Sequence, residues 1–69
     1  MKSFKKLGKK IQYYRELQGK TIEELALETS IDIKKLELIE RGEVIFKLKT
    51  LEKISLVLNI DLENLLDFD

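Results

Sequence analysis

The sequence predicts an all-α fold of five short helices. Three observations carry that expectation. The chain has no proline, only three glycines, and a composition of 43% hydrophobic and 38% charged residues, which suits compact helices rather than a disordered tail. Apolar side chains recur at steps of three and four, the period of a helix with one buried face. Between the apolar runs stand residues that stop and start helices. At 69 residues the whole chain, 1–69, is expected to form one small domain near the size at which a single core just suffices.

Phe4, Leu7, Ile11 and Tyr14 share one face of a first helix over about residues 4–18, with Lys5, Lys6, Lys9, Lys10 and Gln12 largely on the wet side. Gly19 is placed to end it in a left-handed conformation, and Thr21 with Glu24 forms a capping box that opens a second helix at Ile22. Leu25 and the small Ala26 make its buried side, Ala26 marking a close helix crossing. After a break at Thr29 and Ser30, Ile31 packs inward and Asp32 caps a third helix. Leu36 and Ile39 line its inner face until Gly42 ends it. Eight irregular residues follow, anchored by Val44, Phe46 and Leu48. Thr50 then caps a fourth helix built on Leu51, Ile54, Val57 and Leu58; Asn59 closes it, and Asp61 caps a short fifth helix with Leu62, Leu65 and Leu66.

Several function classes are excluded. Without cysteine or histidine there are no disulfides, no thiolate chemistry and none of the usual zinc ligand sets, so neither metal nor cofactor is expected. Catalytic pairs of Ser/His or Cys/His type are likewise impossible. Glu23, Glu24, Glu28 and Glu37 have capping and solvation roles on helix surfaces, and Gly8, Gly19 and Gly42 are too scattered to cradle a phosphate. No enzyme is expected. No apolar stretch approaches the ~20 residues of a membrane span, so no membrane insertion is expected and the default is a cytoplasmic, prokaryotic protein. Met1 and the complete fifth helix favour a whole protein.

Net charge is zero but unevenly divided. Residues 1–20 hold seven Lys/Arg against one Glu, residues 21–46 hold three against seven carboxylates, and residues 47–69 hold three against five. A basic front therefore sits on an acidic body.

The run of motifs LGKKIQYYR, TIEELA, IERG and TLEKISLVLNIDLENLL resembles the phage-repressor-like (Xre or Cro type) helix-turn-helix family, from Leu7 to Leu66. The resemblance implies a five-helix lambda-repressor-like fold, with the helix-turn-helix unit at about 21–42, acting as a DNA-binding transcriptional regulator. Arg15 and Glu40 match positions that often form an ion pair in that family. In such domains the second helix lies across the DNA backbone and the third enters the major groove. By the resemblance, the base-facing residues are Asp32, Ile33, Lys34, Glu37 and Leu38; those facing phosphate are Thr21, Ile22, Lys35, Arg41, Lys47, Lys49 and Lys9.

The family usually places Ser, Arg, Gln, Asn or Thr at the base-facing positions, because base edges are read by matched donors and acceptors. Here only Lys34 is an obvious donor, although isoleucine can touch a thymine methyl and glutamate can accept from a cytosine amino group. Lys5, Lys6, Lys9, Lys47 and Lys49 are placed to clamp the duplex around this helix. The turn also departs from the family, with Thr29 and Ser30 where a buried leucine and a glycine are usual.

Two expectations concern partners other than DNA. The segment ETSIDIKKLELIE resembles the third helix of the RodZ N-terminal domains, which present the same fold to a protein. If Ile22, Ile33 and Leu38 all face outward, they form an apolar patch suited to a protein partner, the alternative being an interaction module of anti-repressor, adaptor or antitoxin-like type. Leu62, Leu65, Leu66 and Phe68 exceed what a short end helix needs and are the expected homodimer surface.

Overall fold

The helices of the computed structural model, which describes residues 3–45 and 47–66, are bounded mostly by local signals in the sequence. The helices run α1 Ser3–Leu17, α2 Ile22–Thr29, α3 Ile33–Arg41, α4 Leu48–Leu58 and α5 Leu62–Leu65. The capping box is complete: the Glu24 N–H donates to the Thr21 hydroxyl at 3.0 Å and the Thr21 N–H to the Glu24 carboxylate at 2.8 Å. Four helices end in a left-handed residue, Gly19, Ser30, Gly42 and Asn59. At each, the N–H of the next residue reaches the carbonyl five positions back: Lys20 to Arg15, Ile31 to Ala26, Glu43 to Leu38 and Ile60 to Ser55. This closure satisfies carbonyls that a helix end leaves open.

The core is one cluster drawn from all five helices: Leu7 and Ile11, Leu25 and Ala26, Ile31 from the turn, Leu36 and Ile39, Leu51, Ile54 and Leu58, and Leu65. Tyr14 packs against it, and Tyr13 remains exposed with its ring edge-to-face on Tyr14. Phe4, expected inside, is exposed. The backbone of Phe4 and Lys5 lies close against Gly42. Gln18 straps the far end of α1 to α4, its amide donating to the Leu58 carbonyl at 2.7 Å.

A close crossing of two helices lies at Gly8. A Cβ at Gly8 would sit 2.5 Å from the carbonyl oxygens of both Ile39 and Glu40, so α1 and α3 touch backbone to backbone. Gly42 repeats this one end over, where a Cβ would sit 2.5 Å from the Lys5 Cα. Glycine is the residue that permits such an approach.

The connection from α3 to α4 is shorter than expected. The N-cap of α4 is Lys47, and Thr50 lies in the first turn with its N–H on the Lys47 carbonyl, so five residues rather than eight separate Gly42 from Leu48. Lys49 consequently belongs to α4 and not to a loop. Val44 packs on the core as expected, whereas Leu48 is exposed; Phe46 lies outside the described residues. Asp61 occupies the N-cap of α5, but its side chain makes no capping bond.

Candidate nucleic-acid interface

Helix α3 is held from behind by a buried ion pair. The Arg15 guanidinium donates from Nε to Glu40 Oε2 at 2.8 Å and from Nη2 to Glu40 Oε1 at 3.1 Å, while Nη1 donates to the Lys20 carbonyl at 2.8 Å. These are not two solvated charges, since both side chains are about nine-tenths buried. Hydrogen bonding to Glu40 raises the Arg15 pKa above its ordinary value, helped by the Glu40 charge and opposed by burial. With Leu36 and Ile39 also facing inward, the outer side of α3 has a fixed orientation.

The turn that launches α3 is built from the two departures from the family pattern. Thr29 is buried, and its hydroxyl donates to the Leu25 carbonyl at 2.7 Å, which satisfies the polar group within its own helix. Ser30 takes the left-handed conformation, φ 61°, that a glycine would adopt at less cost. Asp32 then caps α3 by accepting from the Lys34 N–H at 3.1 Å.

The residues expected to face bases divide into two groups. Asp32 and Lys34 are exposed, whereas Ile33, Glu37 and Leu38 are half-buried. Among those expected to face phosphate, Thr21, Lys35, Arg41, Lys47, Lys49 and Lys9 are exposed and Ile22 is half-buried. A cleft of about 480 Å³ between α1 and α3 brings Lys9, Ile22, Glu37 and Arg41 together with Lys5, Gln12 and Glu43. Arg41 lies 3.5 Å from Glu43 at the surface. Gln12, expected from the sequence on the wet side of α1 but not among the DNA-facing residues, recurs with Lys5 and Lys9 at the helical steps of four and three that place them on one stripe.

Ile22, Ile33 and Leu38, grouped from the sequence as an apolar patch if all three face outward, are each half-buried. Ile22 and Ile33 both pack against the core and line different hollows, Ile22 the cleft just described and Ile33 a shallow one of about 470 Å³ with Ala26, Ile31 and Asp32. Ile22 opens α2 and Ile33 opens α3, and each is partly buried against the core. The fully exposed apolar side chain here is instead Leu27, 82% accessible, on the rim of the second hollow.

The expected dimer surface is also altered. Leu65 is fully enclosed and belongs to the core, because α5 is a single turn whose inward position it occupies. Leu62 is half-buried against the core and Leu66 is exposed; Phe68 lies outside the described residues.

Among the described residues no group of three or more acidic side chains is placed to hold a metal ion, and no helix is long and apolar enough to cross a membrane. Comparison with curated proteins and with solved structures gave no match. The sequence pattern of the family described as Helix-turn-helix matches residues 11–65, from the middle of α1 to the end of α5. The α2–turn–α3 geometry lies wholly inside that match, and the chain belongs to this Xre or phage-repressor-like helix-turn-helix family, one of DNA-binding regulatory domains and not of enzymes.

Proposed function

We propose that the chain is a small transcriptional regulator that binds duplex DNA with α3 in the major groove. The observation that carries this reading is the orientation of α3: buried bonds to α1 fix its inner face, and Lys34 and Lys35 stand exposed at its start. Lys5, Lys6 and Lys9 on α1, with Lys47 and Lys49 at the start of α4, supply further exposed cations for phosphates on either side. Base readout is poor in donors. Lys34 serves guanine, Asp32 and Glu37 accept from cytosine or adenine amino groups, and Ile33 and Leu38 offer only apolar contact to a thymine methyl. Affinity therefore rests mainly on phosphates, with modest discrimination among sequences.

Pairing of two copies through Leu66 and the outer edge of Leu62 would present two α3 helices to two half-sites. Titration of a labelled random duplex at about 50 and 200 mM salt tests the proposal. Binding that weakens steeply with salt supports it, and no binding at the lower concentration sinks it.

A second reading has one observation in its favour. Leu27 stands beside a hollow floored by Ala26, Ile31 and Ile33 and rimmed by Glu23 and Asp32, a surface suited to a basic protein segment with an apolar side chain. Leu27→Ala, which adds no charge, would abolish such a protein contact and leave the salt dependence of DNA binding unchanged.

A further inference from the structure

Among the described residues, the connection that leaves α3 and the first position of α4 each expose a large apolar side chain that the core does not use. Val44 turns inward, while Ile45 is 78% and Leu48 is 58% accessible. Lys47 and Lys49, both exposed, interleave with them, and Arg41 stands at the end of α3 just before. Across residues 41–49 three cations face a single carboxylate, Glu43, whereas the preceding segment of α2 and α3 is acidic. Exposed apolar side chains set among cations form an edge that suits a polyanion with an apolar interior. A duplex has that character, since phosphates line the grooves and the sugar and base surfaces within are apolar.

Resting on the DNA reading above, we infer that Ile45 and Leu48 form an apolar edge that packs against the sugars and base edges beside the groove entered by α3. Lys47 and Lys49 hold the flanking phosphates. The edge immediately follows α3 in the chain, so it meets the duplex next to that helix. It supplies a part of the affinity that does not depend on salt, because removal of apolar surface from water releases no counterions, whereas each lysine–phosphate contact does. An edge of this kind compensates for a reading helix with few donors.

The test is fluorescence anisotropy on a random 20-base-pair duplex (about two helical turns) at about 50 and 200 mM salt. Wild type is compared with Ile45→Ala/Leu48→Ala and with Lys47→Ala/Lys49→Ala. The apolar pair is expected to lose about tenfold in affinity at both salt concentrations with an unchanged slope of log affinity against log salt. The lysine pair is expected to lower the magnitude of that slope by about two. Both side chains are exposed, so circular dichroism melts of the apolar variant should overlay wild type; Ile45→Thr/Leu48→Gln serves as a second variant that keeps side-chain bulk.

Affinities of both apolar variants within about twofold of wild type would overturn the inference while the DNA reading stands. A loss that disappears at the higher salt would overturn it too. If wild type fails to bind the duplex at all, the DNA reading falls and the inference falls with it. Transfer of the Ile45 and Leu48 dependence to vesicles of phosphatidylglycerol, with DNA binding unaffected, would overturn it in favour of a lipid surface.

Discussion

Arg15 on α1 and Glu40 on α3 are joined by two parallel hydrogen bonds, at 2.8 and 3.1 Å, in the interior of the molecule. A buried pair of this geometry ties two helices together at a defined angle, and loss of one partner leaves the other charge stranded. Arg15→Met is therefore expected to cost about 3 kcal/mol or more, and Glu40→Leu a similar amount. The double variant should recover most of that loss, because an apolar pair of similar volume removes both stranded charges. Urea unfolding of the four proteins measures the coupling, and additive single effects would refute it. The raised Arg15 pKa means its contribution is fully present below the unfolded-state value and is lost only as pH rises through the higher folded value. For the arginine side of the pair, stability at neutral and mildly alkaline pH is accordingly unchanged.

Gly8 offers a contrast between steric room and helix propensity. In an exposed helix, Gly→Ala would stabilise by about 1 kcal/mol. Here the new methyl meets two backbone carbonyls at 2.5 Å, and neither oxygen can retreat without moving α3. Overpacking wins, and Gly8→Ala should lower stability by about 2 kcal/mol in thermal or chemical denaturation. Gly19→Ala meets nothing within 4 Å and suffers only its left-handed φ of 71°, about 1 kcal/mol.

Ser30 sits at a left-handed helix end with φ 61°. Ser30→Gly should raise stability by about 0.5–1 kcal/mol, whereas Ser30→Ala, with the same Cβ, should leave it nearly unchanged. Equal melting temperatures for the glycine and alanine variants would show that the backbone strain is negligible. Asn59 shares the conformation at φ 57°, but asparagine tolerates it, and Asn59→Gly should gain less.

Ile33 separates packing from recognition. It is half-buried against the core at the first turn of α3, so Ile33→Asp should cost about 1–2 kcal/mol of stability as well as any binding. Lys34→Ala touches no core residue and should leave the melting temperature unchanged while weakening duplex binding at low salt. A stability loss at Lys34 or none at Ile33 would contradict these placements.

The elements themselves were legible because their signals are local. The Thr21–Glu24 box, the Asp32 cap and the left-handed Gly19, Gly42 and Asn59 each lie within a few residues of the groups they satisfy. The periodic Leu36 and Ile39, and Ile54 with Leu58, identify inner faces in the same way. What the sequence concealed depends on neighbours distant along the chain. Gly8 looks like an idle helix glycine until α3 is laid across it, and Phe4, which helical spacing puts on the inner face, is exposed. The start of α4 was misplaced because Thr50 is a good capping residue by type, yet Lys47 takes the cap with no side-chain bond at all. Within the candidate interface, helical spacing identified the stripe of α1 lysines. It did not show that Ile22 and Ile33 line separate hollows, each partly buried against the core.

Helix α5 is one turn long, yet its Leu65 is wholly enclosed by the rest of the molecule. It acts as a stopper seated in the open end of the bundle. Under the proposed pairing, contact at this end would be made with the stopper in place, Leu66 and the exposed part of Leu62 being the apolar side chains available among the described residues. An exchange of α5 between two copies would uncork both cores before either was resealed, so surface pairing is the easier route to a dimer than a swap.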